Sequence, residues 1–420
     1  MAFVDCQIAD AGRLTPFVHD AAQDLRRLCS QVVFLYLPIV VLALSKDGIL
    51  MTAMRTIILS MAWLLSGPAS SQEIAPGDAP PNSAQIFFTG HSLIDNPLAN
   101  WVEMIAKSRG KNIAWEQQIV IGSPLRYRTR GENDQDLSWA GYRYGKNRNG
   151  DQMDVVGELL HPRRIGTGHP YDTVVAAENH NLLNMIVWEN AIAYLRHFHD
   201  RLLDGNPKGR TLYVHTWLGI DKDDPQPWLE HETNASVVWQ CVAEKVKLTL
   251  QAEKRPANLS VVPAGTALVE LVKRTLDGKV VGITGSTRKK LDRIFRDEVH
   301  LTDTGVYFVA AVHYASIYRQ SPEGAAAPPT VPRDLAKELQ KIAWAVTRDF
   351  LQRESLHPPS MAECRRVIVE KVCRSFWVQV GEPNEAGGCQ SYFAETHPNS
   401  GGNPFVWPDP NWKALPKPAP

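Results

Sequence analysis

Residues 83–89 read SAQIFFT, and this apolar run leads directly into the segment GHSL at 90–93. A run of this length, rich in Ile and Phe and closed by a glycine, is typical of a buried β-strand. Four more runs of the same type occur further along the chain, at residues 113–121, 171–177, 211–216 and 259–263. The sequence therefore predicts five strands.

Helical patterns lie between and after these runs, where apolar residues recur every three or four positions. The expected helices cover residues 98–108, 185–203, 234–253, 303–317 and 333–351. Strands that alternate with helices are the signature of a parallel sheet covered by helices on both faces. The sequence therefore predicts the α/β class.

The composition fits a globular protein with one large core. The chain has 420 residues, of which 44% are hydrophobic and 21% charged, enough apolar material for a large domain with appendages. Lys and Arg total 45 and Asp and Glu total 45, so the formal net charge is zero. No dense basic stripe accompanies this balance, so nucleic acid is not an expected partner.

The N-terminal region has the layout of a targeting segment. A basic start at Met54-Arg55 is followed by the apolar stretch 56–65 and by the small residues Ala69-Ser70-Ser71. This order is typical of a secretory signal peptide, and the apolar stretch is shorter than the ~20 residues of a membrane span. We expect export, either to the periplasm or out of the cell, without stable membrane insertion after the signal is removed.

A second apolar run, residues 32–44, precedes the signal-like segment and is interrupted by Pro38. Two export-like runs in succession lead us to expect that translation begins at Met51 or Met54. The expected segments are an extension or leader at 1–53, a signal peptide at 54–71, a linker at 72–82, the α/β domain at 83–320, a linker and helix at 321–357, and a Cys- and Pro-rich tail at 358–420.

An insertion of nearly fifty residues, 123–170, separates the second and third expected strands. Loops of this length in a compact domain are usually lids, binding loops or disordered segments. The insertion is rich in Arg, Gly and Asn and contains the aromatic residues Tyr127, Trp139, Tyr142 and Tyr144. Its composition suits stacking on a sugar ring, and it equally suits a decorated surface loop.

Cysteine and histidine spacing gives no zinc motif, and we expect neither a metal nor a cofactor. Cys364, Cys373 and Cys389 lie in the tail, where one disulfide with an odd thiol left over is expected, while Cys241 falls in a helix. His197 and His199 lie two residues apart on an expected helix, so they point to different faces. We interpret that pair as part of a solvated helix face.

Residues that could take part in catalysis follow the expected strands, at the edge where an open parallel sheet binds its ligands. Ser92 comes after the first strand, Gly122 after the second and Asn179 after the third, while Asp297 and His300 precede the helix at 303–317. A hydroxyl nucleophile needs a base to take its proton, and the base needs an acidic partner to fix its tautomer. Asp297 and His300, three residues apart, can supply both functions.

In this order the segments resemble the blocks of the SGNH, or GDSL-like, hydrolases over roughly 240 residues. The resemblance implies a three-layer, flavodoxin-like fold and a serine esterase activity. It implies that Ser92 is the nucleophile, His300 the general base and then general acid, and Asp297 its orienting partner. The backbone N–H groups of Ser92 and Gly122 and the side-chain amide of Asn179 would form the oxyanion hole.

The chain departs from the family pattern in the first and third blocks. His91 stands where the family usually has Asp, and the third block reads Ala177-Glu178-Asn179-His180 in place of Gly-x-Asn-Asp. The second departure leaves Asn181 as a rival to Asn179 for the oxyanion role. We expect cleavage of a carboxylic ester. The polar, aromatic insertion and Trp217 and Trp228 near the end of the fourth strand slightly favour a carbohydrate ester over a long-chain lipid, because nothing in the sequence indicates an apolar acyl groove.

Two other functions are compatible with the same sequence. One is an O-acyltransferase that passes an acyl group to a glycan, which differs from an esterase only in the acceptor. The other is an exported binding protein that keeps the fold without activity, in line with the departures at His91 and His180.

Overall fold

The computed structural model describes residues 81–133 and 137–418. The expected leader at 1–53 and the expected signal peptide at 54–71 lie outside these residues. The strands are β1 (Ser83–Gly90), β2 (Asn112–Ile119), β3 (Thr173–Ala177), β4 (Arg210–Val214) and β5 (Leu259–Val262). They form one parallel sheet in the order β2-β1-β3-β4-β5, which is the flavodoxin-like order.

Helices connect and cover these strands. Up to β4 they are α1 (Leu98–Ser108), α2 (Leu125–Thr129), α3 (Val155–Leu160), α4 (Leu182–Trp188) and α5 (Ala191–Gly205). After β4 they are α6 (Gln226–Ala252), α7 (Ala264–Leu276), α8 (Thr287–Leu291), α9 (Asp303–Tyr318), α10 (Arg333–Leu356), α11 (Met361–Val367), α12 (Cys373–Gln379) and α13 (Ala386–Phe393). The predicted three-layer α/β fold is confirmed.

The sheet changes direction at β1. The chain moves from β1 to the edge strand β2, returns past β1 to β3, and then advances to β4 and β5. Right-handed crossovers that run in opposite directions place their helices on opposite faces of a sheet. The carboxyl ends of β1 and β3 therefore border the crevice at which such sheets bind ligands.

Burial explains why these runs became strands. β3 reads TVVAA and all five residues are buried, as expected for a strand that is covered on both faces. In β1 only Ser83 is exposed. The interior strands thus carry continuous apolar runs instead of the alternating pattern of a half-solvated sheet.

The structure corrects several expected boundaries. The helix expected at 185–203 is two helices, α4 and α5, because Asn190 adopts a left-handed conformation with φ of 48°. The fourth strand ends at Val214, so the expected strand positions His215 and Thr216 lie beyond it. Helix α7 was missed, although its buried residues Leu268, Leu271 and Val272 have helical spacing.

The Cys- and Pro-rich tail at 358–420 contains three helices. They are α11, α12 and α13. Cys364 pairs with Cys241 of α6, and Cys373 pairs with Cys389. The prediction of one disulfide and an odd thiol in the tail was therefore wrong, because a helix of the α/β domain supplies the fourth sulfur.

The insertion at 123–170 folds against the domain. Trp139 and Tyr142 are both buried, and the Trp139 ring stacks on His197 with centroids 3.9 Å apart. The Tyr142 hydroxyl lies 2.7 Å from Nδ1 of His197. These two aromatic rings have no free face for a sugar, so this part of the stacking interpretation is wrong.

The interpretation of His197 and His199 as a solvated face is also wrong. Both side chains are buried, at 2% and 0% exposure. They do point to different sides of α5, since His197 meets Tyr142 and His199 approaches the Thr211 hydroxyl at 2.9 Å. Burial lowers the pKa of His197 to about 3 and that of His199 to about 4, so both are neutral packing residues.

Within the described ranges, no helix is both long enough and apolar enough to span a lipid bilayer.

The two disulfides differ in the length of chain that they close. Cys241–Cys364 has a sequence separation of 123 and Cys373–Cys389 a separation of 16. Closing a longer loop removes more entropy from the unfolded chain, roughly 4–5 kcal/mol for the first pair against about 3 kcal/mol for the second. We predict that urea denaturation shows a larger loss of stability in the Cys241→Ala/Cys364→Ala variant than in the Cys373→Ala/Cys389→Ala variant.

Peptide mapping without reductant is the control, since it must recover both pairs from the parent protein. Equal unfolding midpoints for the parent and for both double variants would contradict the prediction.

Candidate active site

Ser92 lies in the tight turn that follows β1. The turn closes through a hydrogen bond from the Ile94 N–H to the His91 carbonyl at 3.0 Å. Gly90 is required here, because a Cβ atom on it would lie 2.3 Å from the Ile94 side chain. The Ser92 side chain is therefore presented at the carboxyl edge of the sheet, beside the point where the strand order reverses.

Asp297, His300 and Ser92 form a continuous hydrogen-bonded series. Nε2 of His300 lies 3.0 Å from Oγ of Ser92, and Nδ1 of His300 lies 2.9 Å from Oδ2 of Asp297. Since a carboxylate only accepts, Nδ1 carries the hydrogen and Nε2 is free to accept the Ser92 proton. This is the tautomer that a general base at His300 requires.

The loop from 296 to 300 is shaped by the Asp297 carboxylate. Its Oδ1 accepts the N–H groups of Val299 at 2.9 Å and His300 at 2.7 Å. Partial burial acts to raise the pKa of Asp297, but these hydrogen bonds and the His300 ring outweigh it and lower the pKa below its ordinary value. The Asp297 carboxylate is therefore ionised at neutral pH and can accept the Nδ1–H of His300.

The three expected oxyanion donors lie on segments that hydrogen-bond to one another. Nδ2 of Asn179 donates to the Gly122 carbonyl at 2.9 Å, and the Val120 N–H donates to the Gly90 carbonyl at 3.0 Å. Among the residues that the structure describes, neither the Ser92 N–H nor the Gly122 N–H donates to a protein acceptor. These two N–H groups are therefore available to a ligand oxygen.

Asn179 and Asn181 have different environments. Oδ1 of Asn179 accepts the Asn181 N–H at 3.0 Å, and its Nδ2 reaches the turn that contains Gly122. Asn181 stands before the first residue of α4, and its Oδ1 is buried without a hydrogen-bond partner among the described residues. A hydrogen bond thus joins the Asn179 side chain to the Gly122 turn.

His91, the departure in the first block, is a buried and neutral residue with a structural role. Its Nε2 lies 2.9 Å from the Glu178 carbonyl, so Nε2 carries the hydrogen and donates. Burial, reinforced by the charge of Arg128, lowers the pKa of His91 to about 3. His91 therefore ties the turn after β1 to the turn after β3 without adding a charge beside Ser92.

His180, the departure in the third block, lies with its ring centroid 6.2 Å from that of His91. Burial also lowers the pKa of His180. Its Nδ1 is buried without a partner among the described residues, so His180 gives no support of its own to the Asn179 amide.

Two buried charges beneath the site were missed by the sequence analysis. Arg128 is 0% exposed and Glu178 is 0% exposed, and both contact the turns that hold the expected oxyanion donors. Burial raises the pKa of Glu178 to about 7, an effect that the charge of Arg128 opposes. The position of Glu178 directly after a strand could have indicated its place beside the site. Arg128 lies in the insertion, where no sequence pattern distinguished it from the neighbouring residues.

A cleft of about 130 Å³ opens beside Ser92 and His300. Its polar lining includes Asp95, Asn96, Arg296 and Asp303, and its apolar lining includes Leu93, Leu98 and Val309. Drug-sized ligands occupy pockets of about 300–1,000 Å³, so this cleft suits a small group. No described residue of the insertion at 123–170 lines this cleft.

The two tryptophans expected near a sugar are buried. Trp217 donates from Nε1 to the Val299 carbonyl at 2.8 Å, and Trp228 donates to the Leu218 carbonyl at 2.8 Å. Trp217 therefore anchors the loop that carries Asp297 and His300, and it reaches the cleft only as part of its wall. Since both rings are buried, neither Trp217 nor Trp228 supports the expected preference for a carbohydrate ester.

Comparisons with known proteins do not assign this chain to a family. No protein-family profile matches the chain, and no curated protein matches it. A crystal structure of a DUF4886 family protein from Bacteroides uniformis is similar to this chain, with a TM-score of 0.43 and 12% sequence identity over 63% of this chain and 94% of that one. A similarity of this degree carries no argument about the site.

The buried, neutral state of His91 has a consequence for stability. The unfolded chain binds a proton on this side chain below its ordinary pKa of about 6.5, whereas the folded chain resists that proton down to about 3. Stability from this site is therefore lost as the pH falls from about 6.5 toward 3, at up to about 1.4 kcal/mol per pH unit.

We predict that His91→Gln, which keeps an N–H donor for the Glu178 carbonyl, flattens the pH dependence of the unfolding free energy in this range. Urea titrations of both proteins between pH 4.5 and 7 measure it. Parallel slopes for the two proteins would contradict the assignment.

Proposed function

We propose that this protein is a serine hydrolase that cleaves carboxylic esters through an acyl-enzyme on Ser92. The observation that carries the proposal is the series Asp297–His300–Ser92, joined by contacts of 2.9 and 3.0 Å. It lies at the carboxyl edge of the sheet, beside the strand-order reversal at which such folds bind ligands. These features support membership of the SGNH hydrolases.

The chemistry begins with proton transfer. Nε2 of His300 takes the hydroxyl proton as Oγ of Ser92 attacks the ester carbonyl, and Asp297 stabilises the imidazolium that results. The carbonyl oxygen becomes an oxyanion, which the N–H groups of Ser92 and Gly122 and the Asn179 amide would hold. His300 then returns the proton to the alcohol oxygen as the C–O bond breaks.

Deacylation repeats these steps with water as the nucleophile. His300 takes a proton from the water as the water oxygen attacks the acyl carbon. Collapse of the second tetrahedral intermediate breaks the bond to Oγ of Ser92, and His300 returns the proton to that oxygen. The products are a carboxylic acid and the free enzyme.

The cleft beside Ser92 favours a short acyl group over a long-chain lipid. Its volume of about 130 Å³ and its polar lining residues Asp95, Arg296 and Asp303 suit a small ester on a hydroxyl-rich alcohol. Deacetylation of a carbohydrate is the substrate class that these features favour. Export is supported by the two disulfides, which persist in oxidising compartments.

An O-acyltransferase would use the same acyl-enzyme but pass the acyl group to a glycan hydroxyl. The product separates the two reactions, because acid released from an acetylated sugar supports hydrolysis and transfer without net acid release supports the transferase. A binding protein without activity is a third reading, and it would leave Ser92 unreactive toward a fluorophosphonate.

We predict that Ser92→Ala abolishes hydrolysis of p-nitrophenyl acetate, with a loss of roughly 10³-fold or more in kcat, because the nucleophile is removed. Fluorophosphonate labelling, mapped by mass spectrometry, should modify Ser92 in the parent protein. Ser321→Ala, in the segment after α9, is the matched control and should keep full activity. Unchanged hydrolysis in Ser92→Ala would exclude the proposed mechanism.

The two asparagines can be separated by the same assay. Removal of one oxyanion donor typically lowers kcat by about 10²–10³-fold, so we predict a loss of this size for Asn179→Ala. Asn181→Ala should lower kcat much less, since the hydrogen bond to the Gly122 turn comes from Asn179. A larger loss in Asn181→Ala than in Asn179→Ala would reassign the donor.

A further inference from the structure

The segments that carry the oxyanion donors share one buried partner, the guanidinium of Arg128. Its Nε donates to the Thr89 hydroxyl at 3.2 Å. Its Nη1 donates to the Ser123 carbonyl at 2.6 Å and to the Ser123 hydroxyl at 2.9 Å. Its Nη2 donates to the Ala177 carbonyl. One planar group therefore contacts the ends of β1 and β3 and the turn after β2.

Each of these contacts lies close in sequence to an expected oxyanion donor. Thr89 is three residues before Ser92, Ser123 directly follows Gly122, and Ala177 is two residues before Asn179. A guanidinium has its donors in a fixed fork, so its contacts set the relative positions of the three segments. A lysine, with a single nitrogen on a flexible stem, cannot reproduce them.

Glu178 adds further hydrogen bonds among the same segments. Its Oε1 accepts the Asn179 N–H at 2.8 Å and the Leu125 N–H at 2.9 Å. Its backbone carbonyl accepts from His91 at 2.9 Å and from the Thr216 hydroxyl at 3.2 Å. The residue before Asn179 thus takes part in four hydrogen bonds, which restrict the backbone from which the Asn179 amide projects.

The charge of Arg128 persists under ordinary conditions. Burial lowers the pKa of Arg128 only to about 10, and the charge of Glu178 opposes that effect. The guanidinium therefore remains cationic at neutral pH. A fixed positive charge beneath three N–H donors also favours the negative charge that an oxyanion develops.

We propose that Arg128 is the positioning residue of the oxyanion hole, and that its guanidinium holds the Ser92, Gly122 and Asn179 donors in the geometry of the tetrahedral intermediate. This inference rests on the proposed function. Arg128 does not touch the substrate, and its effect on the reaction is transmitted through the three segments. Misplacement of catalytic groups by about 1 Å is sufficient to cost about 10²-fold in rate.

The test compares Arg128→Lys with Arg196→Lys. Arg196 is a matched control because it is also buried, at 1% exposure, and uses its fork on Asp200, Thr249 and Glu253, none of which belongs to the site. With p-nitrophenyl acetate, Arg128→Lys should lower kcat by roughly 10- to 100-fold and leave KM within about twofold. Arg196→Lys should leave both constants unchanged.

Combining Arg128→Lys with Asn179→Ala distinguishes a positioning role of Arg128 from a general loss of structural stability. If Arg128 acts through the donors, Arg128→Lys should cost much less in the Asn179→Ala protein than in the parent, because one of the groups that it positions is already missing. A merely structural role would give the same fold-change in both backgrounds. Equal costs would therefore overturn the inference, as would a kcat for Arg128→Lys within about twofold of the parent.

Ser123→Ala keeps the inference testable if Arg128→Lys does not fold. It removes one acceptor of the guanidinium and little volume, and it should lower kcat several-fold with KM unchanged. A parent protein without turnover and without fluorophosphonate labelling would refute the proposed function itself.

Amide hydrogen exchange then tests Arg128 independently of activity. Exchange in peptides from 86–95, 119–126 and 176–183 should accelerate together in Arg128→Lys, or in Ser123→Ala if the former does not fold, and not in Arg196→Lys. Unchanged exchange in these three segments would refute the positioning role.

Discussion

The parallel pairing of β1 with both of its neighbours is the constraint on which the rest of the structure depends. β1 pairs with β2 along its whole length and with β3 from Ile86 to Thr89. An interior strand cannot shift its register without breaking two ladders at once and exposing its buried face. The turn that follows β1 is therefore fixed in space, and the turns after β2 and β3 are fixed beside it.

The buried ends of these strands require hydrogen-bond donors. Where parallel strands end, their last carbonyl groups have no ladder partner, and a buried carbonyl without a donor is costly. Here Arg128, His91 and Thr216 supply side-chain donors to the carbonyls of Ala177 and Glu178. The hydrogen bonds that satisfy these strand-end carbonyls also hold the segments of the candidate site. The same side chains therefore serve both the sheet and the site.

The strands could be predicted because apolar runs are a local property of the sequence. Ser92, Asp297 and His300 could be singled out because their segments resemble those of the SGNH hydrolases, and the structure brings the three side chains together. Apolar runs identify strands, and parallel strands bring their following residues to one edge. Arg128, the Cys241–Cys364 pair and the burial of Trp217 depend on contacts between residues far apart in the chain. Single-sequence periodicity carries no information about such contacts, which is why a buried guanidinium in a polar insertion was not distinguished from a solvated one. Residue 190, where the left-handed turn divides α4 from α5, was missed because apolar spacing continues across it.

The bond between Cys241 and Cys364 has a consequence for biosynthesis. Its two sulfurs are 123 positions apart, and ribosomes add about 5–20 residues per second. The first thiol therefore waits roughly 6–25 seconds for its partner. During that interval Cys373 and Cys389 do not yet exist, so no intramolecular mispairing with them can occur. Order of synthesis thus makes Cys364 the first tail cysteine that the Cys241 thiol can meet.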